Sequence, residues 1–169
     1  GLAEFFVARE SKAVRLPIEL AGRQASTLIQ PLSTVVYALD RLGSVQGLSV
    51  AVVGLGGIGL LFCWLLRKCG ARTVVGVDPV AFRCQVAQEM GATKTLPLRA
   101  NDVVQASRRN TGDWEPPQIC IEAVGHQQET LNDCIDLVQQ AGTVLAFGVP
   151  DQHVYAVEFE TFFRKKATL

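Results

Sequence analysis

The chain has 169 residues, nearly half of them hydrophobic, with 16 basic side chains balanced by 16 acidic ones. That length fits one domain with a buried core, and the even charge gives no support for nucleic-acid or anionic-membrane binding. The longest apolar run, residues 54–66, is too short and too rich in glycine to span a bilayer. No basic leader with an apolar core opens the sequence. The five cysteines, at 63, 69, 84, 120 and 134, form neither a Cys-x-x-Cys pair nor a Cys/His cluster with metal spacing. They read as reduced, buried small hydrophobes in a cytoplasmic protein.

In chain order, the first thirty residues read as a strand and a loop foreign to the main domain, with Glu4 to Ala8 extended and a turn at Leu16-Pro17. Ser33 is expected to cap a helix that runs to Leu42 and stops at Gly43. Short Val/Ile-rich runs then predict buried strands at 48–53, 73–77, 118–122 and 143–147, with a weaker one at 93–96. Between them, apolar periodicity predicts helices at 57–69, 80–90, 101–109 and 128–140. Such alternation implies right-handed crossovers and a doubly wound parallel sheet (a Rossmann fold) in the order 3-2-1-4-5-6. Ala167-Thr168-Leu169 reads as the start of a sixth strand, cut off.

The most informative stretch is Val50 to Gly59, in which an apolar strand runs into Gly54-x-Gly56-x-x-Gly59 and a helix follows at once. Gly54 permits the tight turn, Gly56 admits a pyrophosphate close to the backbone, and Gly59 lets the helix lie on the strand. Gly57 and Ile58 open the helix, whose N-terminus offers unpaired N–H groups to phosphates. Asp78 follows Gly59 by nineteen residues, at the end of the next strand. Its carboxylate suits two ribose hydroxyls and repels a 2′-phosphate, which favours NAD over NADP. S-adenosylmethionine and flavin domains fit less well: the former usually lack the third glycine step, and the latter usually begin with the motif.

Further segments carry a family resemblance along almost the whole chain. Gly1-Leu2-Ala3-Glu4-Phe5-Phe6-Val7, Leu16-Pro17 and Gln30-Pro31-Leu32-Ser33 come first. Ile121-Glu122-Ala123-Val124-Gly125, Gly142-Thr143-Val144, Phe147-Gly148-Val149-Pro150 and Phe162 to Lys166 follow. Singly these are loose, but in this order the chain resembles the zinc-type medium-chain alcohol and polyol dehydrogenases, near the sorbitol and threonine dehydrogenase branch. The resemblance implies a two-domain enzyme that oxidises a secondary alcohol by hydride transfer to NAD, helped by a catalytic zinc present only in the intact protein. Residues 1–45 would be the tail of a mostly β catalytic domain plus the linking helix, and residues 46–169 the NAD-binding domain. It also implies that Thr34 lies against the nicotinamide, that Val124, Gly125, Gly148 and Val149 line its pocket, and that Arg83 lies over the adenosine ribose.

The resemblance identifies no catalytic residue and no metal ligand within these 169 positions. The zinc ligands, a cysteine and a Gly-His-Glu motif, would precede residue 1. Gln30 stands where relatives carry Glu or Cys near the metal, and a neutral amide is a poorer zinc partner. His126 and His153 read as surface histidines. The partners implied are the dinucleotide and a small alcohol or ketone; relatives often pair through strand six, which is incomplete here, so a homo-oligomer and a monomer both stay open. Two other readings stay open: a zinc-independent quinone or enoyl reductase, and a non-catalytic dinucleotide-binding module.

Overall fold

A computed structural model describes residues 4–20, 23–109 and 114–169. Strands β1 (Ser49–Val53), β2 (Thr73–Val77), β3 (Lys94–Leu96), β4 (Ile119–Glu122) and β5 (Thr143–Ala146) form one parallel sheet in the order β3-β2-β1-β4-β5. Helices α1 (Ile29–Leu42), α2 (Gly57–Lys68), α3 (Ala81–Glu89), α4 (Ala100–Arg108), α5 (Gln128–Leu137) and α6 (Phe159–Lys165) complete it. The five-strand order is the one the alternation predicts. The sixth strand is represented by a single parallel bridge, Thr168 beside Thr143.

Alternation along the strands divides the core in two. Val50 and Val52 of β1 point to a layer filled by Val35, Phe62, Leu66 and Ala87, from α1, α2 and α3. Ala51 and Val53 point the opposite way, into a layer with Val103, Val104, Leu131 and Ile135 from α4 and α5. Every residue of β1 is buried, as a central parallel strand covered on both faces requires. Phe62 also meets Phe147, just past β5, edge-on at 5.0 Å between ring centroids. No helix is long and apolar enough to cross a membrane among the described residues.

The expected N-terminal remnant of a mostly β domain is not found. Residues 4–28, where described, carry only 3-10 turns at Glu10–Lys12 and Gln24–Leu28, then lead into α1. Phe5 is 90% exposed and Val7 lies bare, and among the described residues Glu4 to Ala8 has no neighbouring strand to complete a backbone ladder. Gly1, Leu2 and Ala3, the opening of the quoted motif, lie outside the described residues.

Smaller departures have local causes. Helix α1 begins four residues before Ser33, whose hydroxyl donates to the Gln30 carbonyl at 2.7 Å inside the helix instead of capping it. Pro31 is tolerated because it falls in the first turn, where no N–H is needed. Helix α5 ends at Leu137, three residues early, because Val138 turns extended. The Gln139 N–H then bonds the Pro117 carbonyl. Cys69 is exposed at the end of α2, whereas the other four cysteines are buried. Burial pushes the Cys63 thiol up to about 12, as expected for a core hydrophobe.

Candidate functional site

The glycine turn links β1 to α2 at the point where the strand order reverses, between β1 and β4. Gly54 has φ +93°, and its N–H donates to the Val77 carbonyl at 2.8 Å. A Cβ there would stand 2.7 Å from Val124 Cγ2 and 3.0 Å from the Ala123 carbonyl carbon. A Cβ on Gly59 would overlap the Gly54 carbonyl, so only glycine lets α2 lie this close. Gly56 and Gly57 differ, because a Cβ on either meets nothing within 4 Å. Gly56 caps α2 with no side-chain bond to the first-turn N–H groups. Ahead of α2, therefore, lie open space, uncapped donors and the positive end of the helix dipole, which together can hold an anion. Ile58, half-buried, packs the first turn onto the core.

Asp78 directly follows β2, beside this turn, and is only 3% exposed. Its Oδ2 accepts the Leu55 N–H at 2.9 Å, inside the glycine turn, and its Oδ1 accepts the Val80 N–H at 2.8 Å. Arg83, on α3 and 51% exposed, pairs with Oδ2 at 3.3 Å. The carboxylate does not stand free in solvent; it ties the glycine turn to the start of α3. A carboxylate offers about four lone-pair sites, so acceptor capacity remains for a ligand hydroxyl.

Across the switch point, the ends of β4 and β5 form a second rim. Glu122, buried at 4% exposure, sends Oε1 to the N–H groups of Val124 (2.9 Å) and Gly125 (3.0 Å) and to the Thr130 hydroxyl (2.9 Å). Its Oε2 accepts the Gly148 N–H at 3.2 Å. Gly125, at φ +68°, is packed so tightly that a Cβ would sit 2.7 Å from the Val149 nitrogen. The His126 N–H donates to the Val149 carbonyl at 2.8 Å. Val124 and Val149 expose their side chains above these bonds.

The fold thus gathers Gly54, Gly56, Gly57, Ile58, Gly59, Asp78 and Arg83 on one side, and Val124, Gly125, Gly148 and Val149 on the other. Thr34 stands apart on α1. Its hydroxyl donates to the Pro31 carbonyl at 2.8 Å, and it faces a cavity of about 500 Å³ shared with Tyr37, Leu145 and Phe147. Glu122 is the site residue whose part sequence reasoning missed, and its Glu-x-x-Gly spacing was the available signal. Gln30 is exposed in the first turn of α1, and His126 and His153 are exposed. No group of three or more His, Cys, Asp or Glu could hold a metal ion among the described residues.

A parallel sheet with a glycine turn at its switch point and a carboxylate closing the next strand defines an α/β domain of the Rossmann type. A sequence model of the zinc-binding dehydrogenase family matches residues 57–169, and the chain belongs to that family. D-arabinitol dehydrogenase 1 of Uromyces fabae is 29% identical over 156 residues, which cover 89% of this chain and 43% of that protein. The alcohol dehydrogenase TADH from Thermus sp. ATN1 superposes with a TM-score of 0.75 at 29% identity, over 92% of this chain and 44% of its own. A Sinorhizobium meliloti 1021 zinc-binding dehydrogenase structure, bound to NADP, gives a TM-score of 0.70 at 30% identity, over 82% and 41%. The chain therefore spans about two fifths of the length of these relatives.

Proposed function

We propose that this chain is the NAD(H)-binding part of an oxidoreductase that moves a hydride between a secondary alcohol or polyol and NAD. The observation that carries this reading is the pairing, at one switch point, of an uncapped helix N-terminus with a buried carboxylate on the next strand. The first-turn N–H groups around Gly56, Gly57 and Ile58 would take the pyrophosphate, and Gly54 and Gly59 hold that turn in shape. Asp78 would accept an adenosine ribose hydroxyl, with Arg83 alongside. Thr34, Val124, Gly125, Gly148 and Val149 would border the nicotinamide. When bound, the dinucleotide supplies the hydride acceptor; the chain's own part is to bind and orient it.

The polyol reading draws support from the D-arabinitol dehydrogenase relative. Residues 1–45 are proposed as the link to a further domain and residues 46–169 as the cofactor domain, in which Thr168 makes a parallel bridge to Thr143. No group of His, Cys, Asp or Glu among the described residues fits zinc; its ligands would belong to the intact protein. A small alcohol or ketone substrate, pairing of two copies through strand six, and a cytoplasmic location complete the proposal.

Calorimetric titration of the chain with NADH and with NADPH tests the cofactor reading. Tight NADH binding with at least tenfold weaker NADPH binding is expected. Equal affinities would overturn the preference assigned to Asp78, and binding of neither by the folded chain would overturn the site. The NADP bound to the Sinorhizobium meliloti relative makes the comparison pointed.

A further inference from the structure

We propose that Glu122 is a positioning residue for the nicotinamide half of the dinucleotide, an inference that rests on the cofactor reading above. The topology supplies the first step. Asp78 fixes the adenosine side over β2, and a dinucleotide extends across the switch point, so its other half lies over the ends of β4 and β5.

Strand pairing between those two ends stops at Glu122 and Ala146. Beyond it, the His126 N–H bonds the Val149 carbonyl, and one side chain ties the rest: Oε1 of Glu122 gathers Val124, Gly125 and Thr130 from the β4 loop, while Oε2 takes Gly148 from the β5 loop. The Glu122 backbone carbonyl adds the N–H groups of Phe147 and Gly148, at 3.0 and 2.9 Å. All three N–H groups around the side chain are donors, so both of its oxygens must accept. Glutamine matches the shape but replaces one acceptor with an NH₂ group. Either the Gly148 N–H or the Val124 and Gly125 pair would then face a donor, and one loop would lose its side-chain anchor and keep only its backbone bonds.

The β4 loop is also the wall against which the glycine turn packs, through Val124 and Gly54. The glycine turn keeps a second tether in Asp78, on the far side. Loss of Glu122 should therefore loosen the nicotinamide rim and leave the adenosine and pyrophosphate side in place.

The test compares NADH with ADP-ribose, which lacks the nicotinamide, by calorimetry on wild-type chain and Glu122→Gln. Glu122→Gln is expected to weaken NADH at least tenfold and ADP-ribose less than twofold. Equal losses for both ligands, or no loss for either, would overturn the proposal by making Glu122 a general stability residue or a dispensable one. Thr130→Val removes one partner of Oε1 and keeps the carboxylate, so it serves if Glu122→Gln does not fold. About a threefold loss confined to NADH is expected there, and a loss shared by ADP-ribose would overturn the idea. Wild-type chain that binds neither ligand would instead sink the cofactor reading and this proposal with it.

Discussion

Asp78 has two tasks, and they make different demands on a mutant. Its carboxylate is the proposed ribose acceptor, and it accepts two backbone N–H groups, from Leu55 and Val80. Asp78→Ala is expected to narrow the NADH to NADPH affinity ratio by removing the charge that repels a 2′-phosphate. It should also cost about 1–3 kcal/mol, because buried donors lose their acceptor. Urea melts alongside the two titrations separate these effects, and an unchanged ratio in a folded mutant would refute the specificity role. Asp133 lies on the buried side of α5. Burial raises its carboxyl above the ordinary 3.8; Asp136, Glu129 and Glu158 push the same way, against a lowering hydrogen bond from Asn101. The fold therefore favours the neutral acid, so its contribution to stability is complete below pH 3.8 and is lost as pH rises through the folded value. Asp133→Asn should raise the melting temperature at pH 7, with the gain vanishing as pH falls to 3.8. A gain that persists in acid would point away from charge burial.

At the scale of elements, the helix–strand turn makes two glycines behave differently. Gly56→Val places its side chain in open space at an allowed φ of −68°, so it should melt close to wild type yet lose NADH binding. Gly59→Ala drives a methyl group into the Gly54 carbonyl and should cost about 1–3 kcal/mol through overpacking. Paired thermal melts and NADH titrations check both; a Gly56→Val chain that still binds would move the pyrophosphate elsewhere. These glycines were legible in the sequence because the turn, its strand and its helix are contiguous. Strands β1, β2 and β4 were legible for a similar reason, since continuous Val/Ile runs mark parallel strands buried on both faces, whereas β3 (Lys-Thr-Leu) is a half-buried edge strand and gave a weaker signal. Helix ends were harder to read: Ser33 looks like a cap but bonds backwards to Gln30, and Val138 leaves α5 although its apolar spacing continues. The role of Glu122 was hidden because Thr130 and Gly148, eight and 26 residues away, become its partners only through the fold.

Over the whole molecule, sheet order follows from alternation and crossover handedness, so it could be read before any contact was known. The N-terminal segment could not be read that way. Its apolar residues permit a strand, but a strand exists only where another lies beside it, and residues 4–8 have none among the described residues. The same dependence on distant partners governs the proposed site. Leu55 reaches Asp78 across 23 residues, and Glu122 reaches Gly148 across 26. Neither of these bonds can form inside a local fragment, so the rims on both sides of the crevice assemble only after the sheet has closed its long loops. Amide hydrogen exchange should report this directly: the Leu55, Gly125 and Gly148 amides, although they lie in loops, are expected to exchange as slowly as those of the central strand β1. Their protection would then track global unfolding, and a bound dinucleotide would slow all of them together.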